Sequence, residues 1–226
     1  VILPYVAIIA FIVGFIYRIL NWAKSPVPFR IPTTAGQQKS LDFIKQNKIE
    51  NPDTKLGVVI RMALEVFLFR SLFRNTRAER TTIDGTPRVT YFSNKWLWVF
   101  ALLFHYSMLI IIIRHARFFL DPVPVCISAL EFVDGVFQIG APRFYLTDAF
   151  ILAGLGFLLL RRVCSERLRY ISLPADWFAL FLLIAIAGSG ICMRYVSKVD
   201  INMAKDVIMG LATLSPVDPS GLGAMF

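Results

Sequence analysis

Four apolar stretches of bilayer-crossing length organise this chain, at about residues 2–22, 96–120, 144–160 and 175–193. A helix needs about 20 such residues to cross a hydrocarbon core about 30 Å thick. Inside lipid each backbone N–H and C=O must find its partner within the protein, which single apolar runs achieve only as helices. The expected fold class is therefore all-α, a polytopic membrane helix bundle forming one domain over residues 1–226. Hydrophobic residues make up 57% of the 226, a share that excludes a soluble enzyme.

The flanks of the stretches agree with this reading. Tyr5 and Trp22 stand at the two ends of the first, and Trp96 and Trp98 open the second, as aromatic side chains do at membrane–water interfaces. The fourth follows Pro174 and contains Gly188 and Gly190, small residues expected to permit close helix approach. The final residues, 221–226 (GLGAMF), read as the entry to a fifth span continuing past Phe226. The chain opens directly in a span without an initiator methionine, and so reads as slightly truncated at its start; no stretch resembles a cleavable signal.

Between the first two spans lies a long polar region, residues 25–94. Within it, residues 57–73 (GVVIRMALEVFLFRSLF) are apolar but carry Arg61, Glu65 and Arg70. Such a segment is expected to be an amphipathic helix lying on the membrane surface, with Arg61 and Glu65 as partners one turn apart. Arg74, Arg77 and Arg80 follow, a basic run suited to anionic headgroups.

Charge sets the orientation. Residues 24–95 hold 13 Lys plus Arg and residues 161–169 hold four more, against six on the opposite side. The positive-inside rule then places region 25–94 in the cytoplasm and the amino terminus outside, in a cytoplasmic membrane. The same rule accounts for the net charge of +9, which in a soluble chain would suggest nucleic acid; no nucleic-acid partner is expected. The three cysteines, Cys126, Cys164 and Cys192, form no C-x-x-C motif, which excludes c-type haem attachment and a thiolate-held cluster within this chain. They read as small membrane hydrophobes.

The two histidines are the candidate functional residues. His105 and His115 both lie inside the second span, a stretch of 25 among 226 residues, which random placement would produce roughly one time in a hundred. Ten helical positions separate them by about 15 Å along the axis and by about 80° around it. An imidazole at membrane depth is costly without a partner, and haem iron is the partner that suits a neutral one. Two imidazoles at two depths point to two haems, each drawing its other ligand from a different helix. The alternative is structural, with each ring bonded to a neighbouring helix or to the interface.

Histidines ten residues apart on the second of five spans, with an outward amino terminus, resemble the membrane cytochrome b subunit of respiratory nitrate reductase, the gamma-subunit family. The strings at 25–41 (SPVPFRIPTTAGQQKSL) and 61–76 (RMALEVFLFRSLFRNT) are similar to its DsrM branch, the cytochrome b subunits of sulfite-reduction-associated DsrMKJOP complexes. The resemblance implies two haem b groups, the one on His105 nearer the cytoplasm and the one on His115 nearer the outside. Their opposite axial ligands would be histidines of the fifth span, beyond residue 226. It also implies menaquinone exchange near the outer haem. The partners implied are a cytoplasmic iron–sulfur subunit of heterodisulfide-reductase type (DsrK-like), docked on region 25–94, and the complex's other membrane and periplasmic subunits. Where the family has glycine before the outer histidine, this chain has Arg114. With Arg117 it completes the candidate cofactor-binding set, as a partner for a haem propionate or a quinone carbonyl, unless it snorkels to headgroups.

Two other readings stay open: a gamma-type subunit serving a nitrate or heterodisulfide reductase, and a haem-free membrane scaffold or transporter. Against transport, the spans carry few ionisable groups and no interrupted helix pair.

Overall fold

The structure is a computed structural model that describes residues 2–25, 43, 45–74, 77–83, 85–135 and 143–215. The expected fifth span and most of the 25–41 string lie outside the described residues. The chain divides into two compact units, Val1–Val66 and Phe67–Phe226.

In the first unit, α1 runs over Ile2–Lys24 and buries none of its residues. Ile2, Leu3 and Phe11 are each more than two-thirds exposed, an apolar surface that water does not tolerate on this scale. Lipid is the solvent that suits it. Helix α2 (Lys55–Leu68) starts where the Thr54 hydroxyl accepts from the Gly57 N–H at 3.1 Å. Arg61 donates to the Glu50 carbonyl and ties α2 to the loop before it.

In the second unit, α2 ends at an elbow where Phe69 takes a left-handed φ of 47°, and the short α3 (Arg70–Arg74) follows. Next comes an antiparallel hairpin, β1 (Arg77–Ile83) with β2 (Thr86–Phe92), in register from Arg77↔Phe92 to Ile83↔Thr86. This hairpin is a local exception to the expected helical fold, in a chain that is otherwise mostly helical. The connection holds Gly85 at φ 73°, the conformation that a two-residue hairpin loop needs. A strand pair forms here because Thr81, Thr82, Ile83, Thr86 and Val89 are β-branched and no helical apolar stripe competes.

Asn94 caps α4 (Lys95–His115), its side chain accepting from the Leu97 N–H at 3.2 Å. A 3₁₀ turn, Ala116–Phe118, continues it. Then follow α5 (Val125–Asp134), α6 (Leu146–Cys164), α7 (Glu166–Ile171), α8 (Pro174–Tyr195) and α9 (Ile201–Ala212). Helices α5 and α9, at 10 and 12 residues, lie outside the four expected spans and are too short to cross a bilayer.

Among the described residues, three helices are long and apolar enough to cross a membrane: Ile2–Lys24, Lys95–Phe118 and Pro174–Tyr195. Helix α6 coincides with the expected third span but carries Asp148 near its start and Arg161 and Arg162 near its end. It lies between α4 and α8. Ile151 and Leu155 of α6 and Leu180 of α8 form the buried cluster, with Phe104, Met108 and Ile111 of α4 packed on it. Lipid is as apolar as leucine, so close packing rather than water release holds such helices together.

The close approach falls at Gly154 of α6, not at the expected pair on α8. A Cβ added at Gly154 would lie 2.9 Å from the Phe104 Cβ and 3.2 Å from its Cα. At Gly188 and Gly190 nothing lies within 4 Å of such an atom.

Candidate functional site

Both histidines lie on one uninterrupted α-helix, α4, with exposed rings. The Nδ1 of His105 is 2.7 Å from the Ala101 carbonyl oxygen, and the Nδ1 of His115 is 2.7 Å from that of Ile111. A carbonyl oxygen only accepts, so in each ring Nδ1 carries the hydrogen. Nε2 is then the nitrogen with the free lone pair, and among the described residues it has no hydrogen-bond partner in either ring. A hydrogen bond from the second nitrogen is how ligating histidines are held in one tautomer and one orientation. Here the helix's own backbone supplies it twice.

The surroundings of the two rings differ. His105 makes T-shaped contacts with two aromatic rings, Phe69 at 4.9 Å between centroids (83° between planes) and Phe104 at 5.0 Å (80°). Phe69 is in place because the elbow that carries it is bolted to α4. The Trp98 indole N–H donates to the Leu68 carbonyl at 2.6 Å, and the Tyr106 hydroxyl donates to the Phe67 carbonyl at 2.8 Å. These are last-turn carbonyls of α2, which lack partners within their own helix. Phe73 packs edge-on to Trp98 at 4.9 Å beside them.

The His115 end is ionic. Arg114 points into the protein and pairs with Asp134, the two side chains only 12% and 6% exposed. Asp134 also accepts from the Thr147 N–H at 2.9 Å and the Thr147 hydroxyl at 2.6 Å, and that hydroxyl accepts from Arg114 at 3.1 Å. The guanidinium lies 3.4 Å from the centre of the buried Tyr145 ring, and Arg194 of α8 lies 4.0 Å from it. Arg117 pairs with Glu131 at 2.5 Å. Tyr195 donates to Asp148 at 2.7 Å and accepts from the Tyr145 N–H at 3.2 Å, tying α8 to the start of α6. Phe118 lies beside the His115 ring, 5.8 Å between centroids and tilted by 54°.

Of the four expected site residues, the structure gathers His115, Arg114 and Arg117 at one end of α4, with both arginines already holding carboxylates of α5. His105 stands apart near the other end. Sequence reasoning missed Asp134 and Thr147 as partners of Arg114, and Phe69, Trp98 and Tyr106 around His105. One signal was available: arginines at 114 and 117 answer acids at 134 and 131, the same spacing read in opposite directions.

The donor set fits haem in one respect that can be tested on the chain itself. Each imidazole is exposed, fixed in its tautomer, and offers Nε2. Among the described residues no group of three or more histidines, cysteines or acids is placed to hold a metal ion, so each ring stands as a single ligand. All three cysteines are exposed and unpaired.

Residues 57–215 match the family model of the nitrate reductase gamma subunit. The chain is similar to the "Hdr-like menaquinol oxidoreductase cytochrome b-like subunit" of Archaeoglobus fulgidus, 46% identical over 218 residues, which cover 95% of this chain and 64% of the relative. It is also similar to the protein of the same description in Archaeoglobus profundus, 42% identical over 224 residues, covering 97% and 65%. The chain thus spans about two thirds of the length of these curated relatives, slightly less in each case. No solved structure matches it. The chain belongs to the nitrate reductase gamma subunit family.

Proposed function

We propose that this member of the nitrate reductase gamma subunit family carries electrons across the membrane through two b-type haems, one on His105 and one on His115, between menaquinol and a cytoplasmic partner. The observation that carries the reading is the repeated imidazole geometry. Two rings on one span, ten residues apart, each donate Nδ1–H to the carbonyl four residues earlier and keep Nε2 free. Haem supplies the redox chemistry when bound. The protein's contribution is position and environment. Helix α4 sets the two ligands about 15 Å apart along its axis, close enough for electrons to pass between neighbouring sites.

The relatives' description as Hdr-like menaquinol oxidoreductase subunits supports menaquinol as the membrane-side donor. Its Hdr-like wording fits a partner of heterodisulfide-reductase type, which this reading takes to be an iron–sulfur subunit on the cytoplasmic side. The narrower assignment is the DsrM type, serving dissimilatory sulfur metabolism with a DsrK-like partner and further membrane and periplasmic subunits. Region 25–94 is the docking surface in this reading, with α2 lying on the membrane and 13 basic residues between 24 and 95 holding it to the cytoplasmic face. Helix α6, about 28 Å long, is a fourth span whose terminal Asp148, Arg161 and Arg162 reach the two interfaces. His105 and His115 would each hold one haem through Nε2, with a second ligand for each expected from a further span, as in the family this chain resembles. Arg114 and Arg117 act toward the cofactors at the outer end through their charge, while Asp134 and Glu131 hold them in place.

The test is a reduced-minus-oxidised spectrum with pyridine haemochrome quantification on the full-length protein. Two b-type haems per chain are expected. His105→Ala and His115→Ala should each remove one haem and spare the other. Absence of b-type bands from the parent protein would overturn the proposal, and loss of both haems in either variant would overturn the two independent sites.

A further inference from the structure

We infer that Phe69, held by the Trp98–Tyr106 latch, is a positioning residue for the imidazole of His105 and a shield over that site. The inference rests on the haem reading of His105 but reaches a segment that this reading leaves unused.

Three observations meet at the elbow. First, Phe69 has φ 47°. For a bulky side chain that backbone is uncommon and strained, and persists where surrounding structure enforces it. Secondly, the enforcement is visible: the carbonyls of Phe67 and Leu68, the two residues just before, accept from the Tyr106 hydroxyl at 2.8 Å and the Trp98 indole at 2.6 Å. Thirdly, the ring so presented lies edge-on to His105 at 4.9 Å, nearly perpendicular to it. Tyr106 follows His105 directly on α4 and Trp98 lies about two turns before it, so the two latch donors flank the ligand along the helix.

A glycine would adopt this backbone without strain. Its absence means the elbow is kept bent with a side chain that must be held there. What the side chain does is limit the imidazole. The Nδ1–H bond to Ala101 fixes the tautomer but leaves the ring some freedom about its Cβ–Cγ bond. Phe69 and Phe104, each close to perpendicular to the imidazole, restrict that rotation. The same ring covers one flank of the ligand against polar surroundings. Potentials of bound haem follow ligand orientation, hydrogen bonding and solvent exposure. Water stabilises the oxidised iron's extra positive charge, so the shield favours the reduced state.

Phe69→Gly is the informative variant, because it deletes the ring while relaxing the backbone. In full-length protein reconstituted in nanodiscs, potentiometric titration and low-temperature EPR should show one haem with a lowered midpoint and altered g values, at unchanged haem content. Tyr106→Phe, which removes only the latch donor, should move the same haem in the same direction by less. Combining Phe69→Gly with His115→Ala should preserve the shift, and combining it with His105→Ala should abolish it. If Phe69→Gly leaves both midpoints and g values as in the parent, or shifts the haem that His115→Ala removes, the positioning role is wrong while the haem assignment stands. A parent protein without haem would overturn both.

Discussion

The two ends of α4 solve one problem with opposite materials. At each, a histidine donates Nδ1–H to its own helix at 2.7 Å, so the local chemistry is identical. Around His105 the support is aromatic, two ring edges and a latch of one indole and one phenol. Around His115 it is ionic, with Arg114 and Arg117 each holding a carboxylate of α5. Aromatic support restricts a ring and keeps water away at little electrostatic cost. Ionic support fixes a helix end that has run out of apolar neighbours, and leaves charges nearby. Two cofactors bound at these ends would sit in unlike fields, which gives a two-site electron carrier unequal potentials without any difference in ligand type.

Three substitutions break or sharpen this contrast. The largest effect belongs to Asp134→Asn. It leaves the buried Arg114 guanidinium without its counter-charge, a change worth about 3–5 kcal/mol. Thermal unfolding of the detergent-solubilised protein should shift down strongly, and the site at His115 should suffer before the one at His105. An unchanged transition would mean that the ion pair contributes nothing at this end.

Gly154→Ala probes the aromatic end. Its new methyl group would meet the Phe104 Cβ at 2.9 Å and backbone behind it, so α4 and α6 must separate. Overpacking of this kind costs about 1–3 kcal/mol. Phe104 adjoins His105, so the disturbance should reach that ring rather than His115; equal perturbation of both would show the ends to be coupled.

Smallest is Glu131→Gln. Its partner Arg117 is 31% exposed, and pairs open to solvent contribute about 1 kcal/mol or less. A loss comparable to that of Asp134→Asn would place Glu131 inside the same buried network and erase the distinction between the two arginines.

How much of this was legible beforehand depends on the range of the interaction involved. The helix carrying both histidines could be read because apolar length is a property of consecutive residues. Its start needed only Asn94, whose side chain caps it at short range. The hairpin was also local, with Asp84-Gly85 between β-branched runs as its signal, yet only the basic run at Arg74, Arg77 and Arg80 was read there. Gly188 and Gly190 were expected to mark a close helix contact on residue type alone. Small size permits an approach but does not choose the partner, and Gly154 is the one that faces Phe104. Arg114 was weighed as a ligand for something outside the chain, since its partner lies 20 residues further on and its stacking ring, Tyr145, further still.

By itself, then, the order of residues determined that the chain is a membrane protein of apolar helices with two imidazoles on one of them, ten positions apart. Hydropathy, capping and helical spacing act between near neighbours along the chain, so no fold was needed to see them. Tertiary structure alone decided what stands beside each imidazole: an elbow from residue 69 at one, and acids from 131 and 134 anchoring the other's helix end. Those contacts join segments whose separation in sequence carries no trace of their distance in space, and only packing resolves which of several arginines, glycines and aromatics finds a partner.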